Sequence, residues 1–228
     1  MRQQLTEYVQ TLFNSDWTSR NGQVVPVETD IGLGNDAVQL DAAVLYADLA
    51  DSTVLVDGWR AWFAADIYKA FLHCAAKIIR DAGGAITAYD GDRVMAVFIG
   101  DDKEIRAVRA GMKINFAVRE VIRPAKLAKW PDDRYVLKHV VGIDTSSLFV
   151  ARTGIRGAND LVWVGRAANH AAKLAASPDD YQTYITQAVF NQLDMSLTNV
   201  NGAAVWQQWR SEALNYSVYR STWHVSFT

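Results

Sequence analysis

Cysteine is almost missing. Cys74 stands alone in 228 residues, which excludes a disulfide framework within the chain and structural zinc sites built from several thiolates. A charge excess is missing too: 23 Lys and Arg against 25 Asp and Glu leave a formal net charge of -2. An electrostatic nucleic-acid binder carries a basic surplus, so that class is disfavoured. No stretch reaches the roughly 18 uninterrupted apolar residues that a membrane helix needs, and the apolar segment AAVLYADLADSTVLV is broken by Asp48 and Asp51. The first ten residues, MRQQLTEYVQ, are polar rather than a basic stub before an apolar run, so no signal peptide is expected. There is no tandem repeat and no low-complexity segment. Half of the residues are hydrophobic and 21% are charged, enough for a packed core and incompatible with general disorder. The expectation is a soluble, cytoplasmic α/β protein of one ordinary domain with a short extension.

Along the chain, Leu5, Tyr8, Val9 and Leu12 share one helical face. A polar loop follows to about Asn35, and residues 1–40 read as an extension that packs on the main domain or on a second subunit. The main domain, 41–228, opens with an apolar strand over Asp41 to Asp48, buried on both faces. An amphipathic helix is predicted over Val56 to Asp81, ending at Gly83-Gly84. In AITAYDGDRVMAVFIG two apolar strands flank Asp90-Gly91, a tight-hairpin signal. A second helix over 102–123 is closed by Pro124. A second hairpin is predicted from strands 135–143 and 147–153 around Asp144-Thr145-Ser146. A short strand, Leu161 to Val164, leads into an alanine-rich helix from Gly165 to about Ser177, and short strands fill the tail. This order predicts an α+β fold, an α/β sandwich with a ferredoxin-like βαββαβ core and strands added at the carboxyl end.

The site must choose the function, because such sheets serve many. Asp48 ends an apolar strand and Asp92 begins one directly after a tight turn. If those strands are antiparallel neighbours, both carboxylates leave the same sheet edge. Such a pair can hold one or two Mg²⁺ or Mn²⁺ ions, with nucleotide phosphates supplying the other oxygens. Each aspartate alone also suits a solvated turn, although Asp48 lies in so apolar a run that it needs a partner. Leu49 to Thr53 is a tight loop entering a helix, where backbone N–H groups and the Ser52 and Thr53 hydroxyls suit phosphates. Simple helix capping explains those two residues equally well. In VGRAANHAAKLA, Asn169 and Lys173 are four apart and share a face flanked by alanine. An amide and an ammonium there can orient a ribose and neutralise a phosphate; they also suit the exposed side of a packing helix. His170 has no visible partner, and the eight tryptophans suit core and dimer packing.

Together, VLYADLADST, AYDGDRVMAVF, VGIDTSSLFV and LVWVGRAANHAAKLA resemble the class III nucleotidyl cyclase catalytic domain over about residues 41–195. The resemblance implies that Asp48 and Asp92 are the two metal-binding aspartates, with the Leu49 carbonyl as an added ligand, for two Mg²⁺ or Mn²⁺ ions per site. It implies phosphate contacts at Asp51, Ser52 and Thr53. It makes Asn169 the ribose-positioning asparagine and places Lys173 where the family usually has a transition-state arginine. A lysine there keeps the charge and loses the bidentate fork. The positions of the usual purine selectors hold Ala88 and Val162, the latter followed by Trp163, and neither reads a purine edge. Tyr46, two residues before the first metal aspartate, carries a hydroxyl that both donates and accepts. It also reads as a core tyrosine at the sheet edge. With Tyr46 in an adapted base pocket, the chain is similar to the pyrimidine-specific Pycsar cyclases of bacterial antiphage systems.

That resemblance implies a homodimer with sites at its interface and UTP as substrate, cyclised to 3′,5′-cyclic UMP that a separate cyclic-nucleotide effector protein reads. No nucleic acid or membrane partner is implied. Three other readings stay open: a cytidylate cyclase, an adenylate or guanylate cyclase with an unusual base pocket, and a catalytically degenerate nucleotide-binding module. Arg152, Arg156 and Arg166 lie near the phosphate face in sequence, where one of them can contact triphosphate or the partner subunit; a solvated basic loop is the plainer reading.

Overall fold

The computed structural model describes residues 1–227. In chain order the elements are α1 (Arg2–Asn14), β1 (Thr18–Asn21), β2 (Asp36–Ala50), α2 (Ser52–Gly58), α3 (Ala61–Asp81), β3 (Ala85–Asp90), β4 (Arg93–Ile99), α4 (Lys103–Ala117) and α5 (Arg123–Lys129). They continue with β5 (Lys138–Ile155), β6 (Ala158–Val164), α6 (Arg166–Ala175), β7 (Thr183–Thr186), α7 (Gln187–Phe190) and α8 (Met195–Thr198). The last four are β8 (Asn199–Val200), β9 (Ala203–Ala204), β10 (Gln207–Ser211) and β11 (Tyr216–Ser221). The central strands run in the order β5–β2–β4–β3, all antiparallel to their neighbours. That is the mixed α+β, ferredoxin-like arrangement expected from the βαββαβ order. The β5 edge is extended by β7, β11 and β10.

The apolar run of β2 is long because both of its faces are covered. Ala43, Leu45, Ala47 and Leu49 point to one side, under Phe63, Ile67 and Phe71 of α3 and Ala107, Ala110 and Ile114 of α4. Ala42 and Val44 point to the other, under Ala167, Ala168 and Ala171 of α6. Each large aliphatic side chain sealed this way contributes about 1.5–3 kcal/mol relative to exposure. The helix α6 sits very close to the sheet. A Cβ on Gly142 of β5 would collide with the backbone at Ala171 and Ala175, so only glycine permits that approach.

Local rules fail in four places. Residues 36–40, read as part of the extension, are the first residues of β2, and β1 pairs with them in parallel. The single helix expected over 56–81 is two helices, α2 and α3, separated at Trp59-Arg60. Pro124 does not end the helical path. A π-helical turn over Val118–Ile122 widens the helix just before it, and α5 continues with Pro124 in its first turn.

The fourth departure concerns the site. No turn occurs at Asp144-Thr145-Ser146; β5 runs straight through as an 18-residue strand, and its hairpin partner is β6. Polar residues are tolerated mid-strand because each has a bond there. Thr186 donates to Asp144 at 2.5 Å, Thr145 donates to Glu104 at 2.6 Å, and Ser146 accepts from the Ala167 N–H at 3.0 Å.

Candidate active site

The carboxyl end of β2 and the amino end of β4 meet at one edge. Asp48 is the antiparallel partner of Arg93, so Asp92 lies one residue off that pair. The turn that delivers it uses Gly91 at φ +61, a left-handed position suited to glycine. Asp48 is half-buried, and its acid is pushed up to about 6. Burial is the largest cause, the negative charge of Asp92 adds to it, and the Arg93 guanidinium opposes it. The Oδ2 of Asp92 is buried with no hydrogen-bond partner among the described residues. A buried carboxylate oxygen with nothing to accept from is costly unless a cation takes its lone pairs. Two carboxylates, one orphaned and one protonating easily, fit a hard divalent cation.

A groove of about 540 Å³ opens beside them, lined among others by Asp48, Leu49, Asp51, Lys138, Ala175 and Asp179. Asp51 holds a left-handed conformation, φ 57, and makes no capping bond of its own. A non-glycine residue in that region stores strain and frees its carboxylate to face the groove. Ser52 and Thr53 follow as the first turn of α2. The far end of α2 is braced by an aromatic cluster. The Trp59 Nε1–H donates to Asp133 at 2.6 Å, its ring meets Tyr135 edge-on at 5.3 Å, and Phe63 meets Trp130 at 4.9 Å. Trp59 and Trp130 therefore serve packing at the end of α2 that follows Asp51-Ser52-Thr53.

Tyr46 lies on the same sheet face as Asp48. Its hydroxyl donates to the Met95 sulfur at 3.0 Å, and burial pushes its ionisation upward. The Arg93 guanidinium sits 5.9 Å from its ring centroid. A bulge in β3 between Ile86 and Ala88 sets Ala88 opposite Met95. Tyr46, Ala88 and Trp163 pack against one apolar cluster. Val162 does not join them. It alternates to the other face of β6 and is 40% exposed.

Asn169 and Lys173 project from the outer face of α6, both exposed. Neither lines the groove at Asp48, which meets only the carboxyl end of that helix. Two arginines near the phosphate face in sequence are engaged structurally. The Arg152 Nε donates to Asn159 at 2.7 Å, and the Arg166 Nε donates to Asp144 at 3.1 Å. Arg156 sits in the exposed turn between β5 and β6.

Sequence reasoning passed over Arg93 and Lys138. Arg93 directly follows a site aspartate, which was a usable signal. Lys138 opens β5 beside the carboxyl end of β2, with its ammonium 2.9 Å from Asp179 and 3.8 Å from Asp51. It escaped notice because the strand was expected to start three residues earlier. His170, which lacked a visible partner, has Tyr216 at 2.7 Å and Asp144 at 3.3 Å.

No family model matches the chain. It is 52% identical over 225 residues to the uridylate cyclase of Xanthomonas perforans, covering 98% of this chain and 97% of that protein. It is 50% identical over 224 residues to the uridylate cyclase of Burkholderia cepacia, covering 96% of each. The uridylate cyclase of a Rhodovulum species is 34% identical over 223 residues, 94% of this chain and 93% of that one. Among solved structures, the adenylyl cyclase CyaB from P. aeruginosa superposes with a TM-score of 0.69 at 20% identity, over 84% of this chain and 97% of that one. The guanylyl cyclase Cya2 superposes with a TM-score of 0.67 at 18% identity, over 82% and 94%. At those identities the two structures bear on the fold.

Proposed function

This chain belongs to the uridylate cyclases of the class III nucleotidyl cyclase family, and we propose that it converts UTP to 3′,5′-cyclic UMP and pyrophosphate in a homodimer. The observation that carries the site assignment is the edge where Asp48 and Asp92 converge, one acid pushed up to about 6 and the other with an orphaned buried oxygen. Asp48, Asp92 and the Leu49 carbonyl would hold two Mg²⁺ or Mn²⁺ ions. Such ions, when bound, lower the pKa of the ribose 3′-hydroxyl and offset charge on the α-phosphate.

The remaining work falls to the chain. The 3′-hydroxyl gives its proton to solvent as its oxygen bonds to the α-phosphorus, and the bond from that phosphorus to the bridging oxygen breaks, releasing pyrophosphate. Backbone N–H groups at Asp51, Ser52 and Thr53, with the two hydroxyls, receive the terminal phosphates. Lys138 already stands beside Asp51 and adds a cation there. Asn169 orients the ribose so that the 3′-oxygen lies in line. Lys173 places a point charge on the crowded phosphate. Tyr46 meets the uracil with a hydroxyl that donates or accepts. Ala88 and Trp163 border the base with apolar surface, and Val162, turned to the other face of β6, offers a purine no partner either.

One copy does not close this site. Asp48 lines the groove, while Asn169 and Lys173 face solvent elsewhere on the same subunit. A second copy related by a twofold axis supplies the missing half to each groove. The product would then act as a second messenger for antiphage defence, read by a separate cyclic-nucleotide effector protein, as the resemblance to the Pycsar group supports. No helix among the described residues is long and apolar enough to cross a membrane.

The test has two arms. Purified protein with Mn²⁺ is incubated with ATP, GTP, CTP or UTP, and products are identified by chromatography and mass. Cyclic UMP as the main product is expected; cyclic CMP or a cyclic purine would replace the substrate assignment. In the second arm, inactive Asp48→Ala and inactive Asn169→Ala proteins are mixed. Each mixed dimer holds one intact site, so activity returns; a mixture that stays dead defeats the shared-site reading.

A further inference from the structure

We propose that Asp144 is a positioning residue for the cyclisation: it sets the rotation of α6 about its axis and so aims Asn169 and Lys173 at the nucleotide. The inference rests on the cyclase reading of the site and goes beyond it to a residue outside both the metal edge and the base pocket.

Asp144 lies in the middle of β5 and is 0% exposed. A carboxylate so deep needs partners on all sides. It has three, from two elements, β7 and α6. The Thr186 hydroxyl at the end of β7 donates at 2.5 Å, the Arg166 Nε at 3.1 Å, and the His170 ring nitrogen Nδ1 lies 3.3 Å away. Arg166 and His170 are the first and fifth residues of α6, so one carboxylate grips the helix at two points a turn apart. The neighbours of Asp144 reinforce the grip. Arg166 also donates to the Thr145 carbonyl at 2.6 Å, and the Ser146 hydroxyl accepts from the Ala167 N–H at 3.0 Å. The same Nδ1 of His170 also lies 2.7 Å from the Tyr216 hydroxyl of β11.

The rest of the helix cannot supply this orientation. Its buried side is Ala167, Ala168, Ala171, Leu174 and Ala175, resting on Gly142. Methyl groups over a glycine allow close approach, but they are short knobs that resist rotation weakly. Asn169 sits immediately before His170, and Lys173 lies one turn beyond it. A rotation of about 10° moves a side-chain tip about 6 Å from the helix axis by about 1 Å. A misplacement of about 1 Å in a reacting group costs on the order of 100-fold in rate. Asp144 itself is sealed inside the fold and touches no nucleotide, which makes it a positioning residue and not a catalytic one.

The experiment is a double-mutant cycle on the full chain, read as steady-state cyclic UMP formation. Asp144→Asn keeps the shape and removes the charge. It is expected to lower kcat about 100-fold with KM for UTP changed less than about threefold. In an Asn169→Ser background, which retains a hydrogen-bonding group, Asp144→Asn is expected to cost no more than about tenfold further, because only the part of its effect that passes through Lys173 remains. Multiplicative losses, as a general loosening of the fold produces, overturn the proposal. So does an unchanged kcat in folded Asp144→Asn. If that variant does not fold, His170→Ala removes one of the two grips at a half-exposed site. It is expected to lower kcat about tenfold with the same non-additivity, and full activity overturns the proposal. Wild-type turnover in Asn169→Ser alone defeats the underlying site reading instead, so the two failures are told apart.

Discussion

Asp48 and Arg93 face each other across the β2–β4 ladder, one residue from Asp92. The arginine is the cation that the paired aspartates have within their own chain. It also binds Asp90 at 2.6 Å and lies over the ring of Tyr46. Its charge works against the burial and repulsion that push Asp48 up. The Asp48–Asp92 edge and the Tyr46 side chain, proposed for metal and base, therefore share a residue, and a change at one is expected to be felt at the other.

Neutralising either carboxylate should remove turnover without harming the fold. Asp48→Asn and Asp92→Asn are each expected to lower cyclic UMP formation at least about 1000-fold. Without divalent cation their melting temperatures should equal or exceed that of the parent, because one of two neighbouring like charges is gone. Mn²⁺ should raise the melting temperature of the parent and not that of Asp92→Asn. Substantial residual turnover in either variant would sink the two-carboxylate argument.

Tyr46→Phe removes a hydroxyl whose partner within the chain is a thioether, a weak acceptor. Stability should change by less than about 1 kcal/mol. The ratio of kcat/KM for UTP over CTP should fall about 10- to 100-fold, because a polar contact to the base edge is lost. Measuring all four nucleotides decides it, and an unaltered ratio would place Tyr46 outside the base pocket.

Lys138 bridges Asp51 and Asp179 at the mouth of the groove. Lys138→Ala is expected to raise KM for UTP about tenfold while kcat stays within about threefold, the pattern of binding energy shared by ground and transition states. A fall in kcat at constant KM would instead give the lysine a role in the chemical step.

His139 makes stability pH-dependent. It is 1% exposed, and neither ring nitrogen has a partner among the described residues. Burial first, then the charge of Arg123, pushes its pKa down to about 3. A histidine in the unfolded chain titrates near about 6.5. Between those values the unfolded chain binds a proton that the folded chain refuses, so stability falls as pH drops through about 6.5 toward 3, by at most about 1.4 kcal/mol per pH unit. Melting curves against pH should show the loss, and His139→Phe should flatten it. A parent protein equally stable at pH values of about 4 and 7 would contradict the burial argument.

Some of this was legible from local sequence. Asp48 interrupts an apolar run, and Asp92 follows a turn dipeptide, so both announced themselves. Asp144-Thr145-Ser146 has the composition of a turn and was read as one. Its strand conformation depends on Thr186, Arg166 and Glu104, which a local window never sees. Pro124 obeys a local rule that the π-helical turn before it defeats. Trp163 and Val162 look equivalent as neighbours, and only the pairing of β6 with β5 decides which one reaches the cluster under Tyr46. Lys138 was hidden by a strand boundary placed three residues too early. For Asp144 and Trp163 the missing information lay in partners distant along the chain.

The length of β5 has a mechanical consequence. Its 18 residues, at about 3.3 Å each, span about 60 Å, from Lys138 at the groove to Ile155 at the tip of the β6 hairpin. Its ladder with β2 runs without a break in register from Ala37 to Ala50, and beyond Ala151 the strand pairs only with β6, with Gly154 at φ 106. Over that paired stretch the two strands form one plate, to which Asp144 ties α6 through Arg166 and β7 through Thr186.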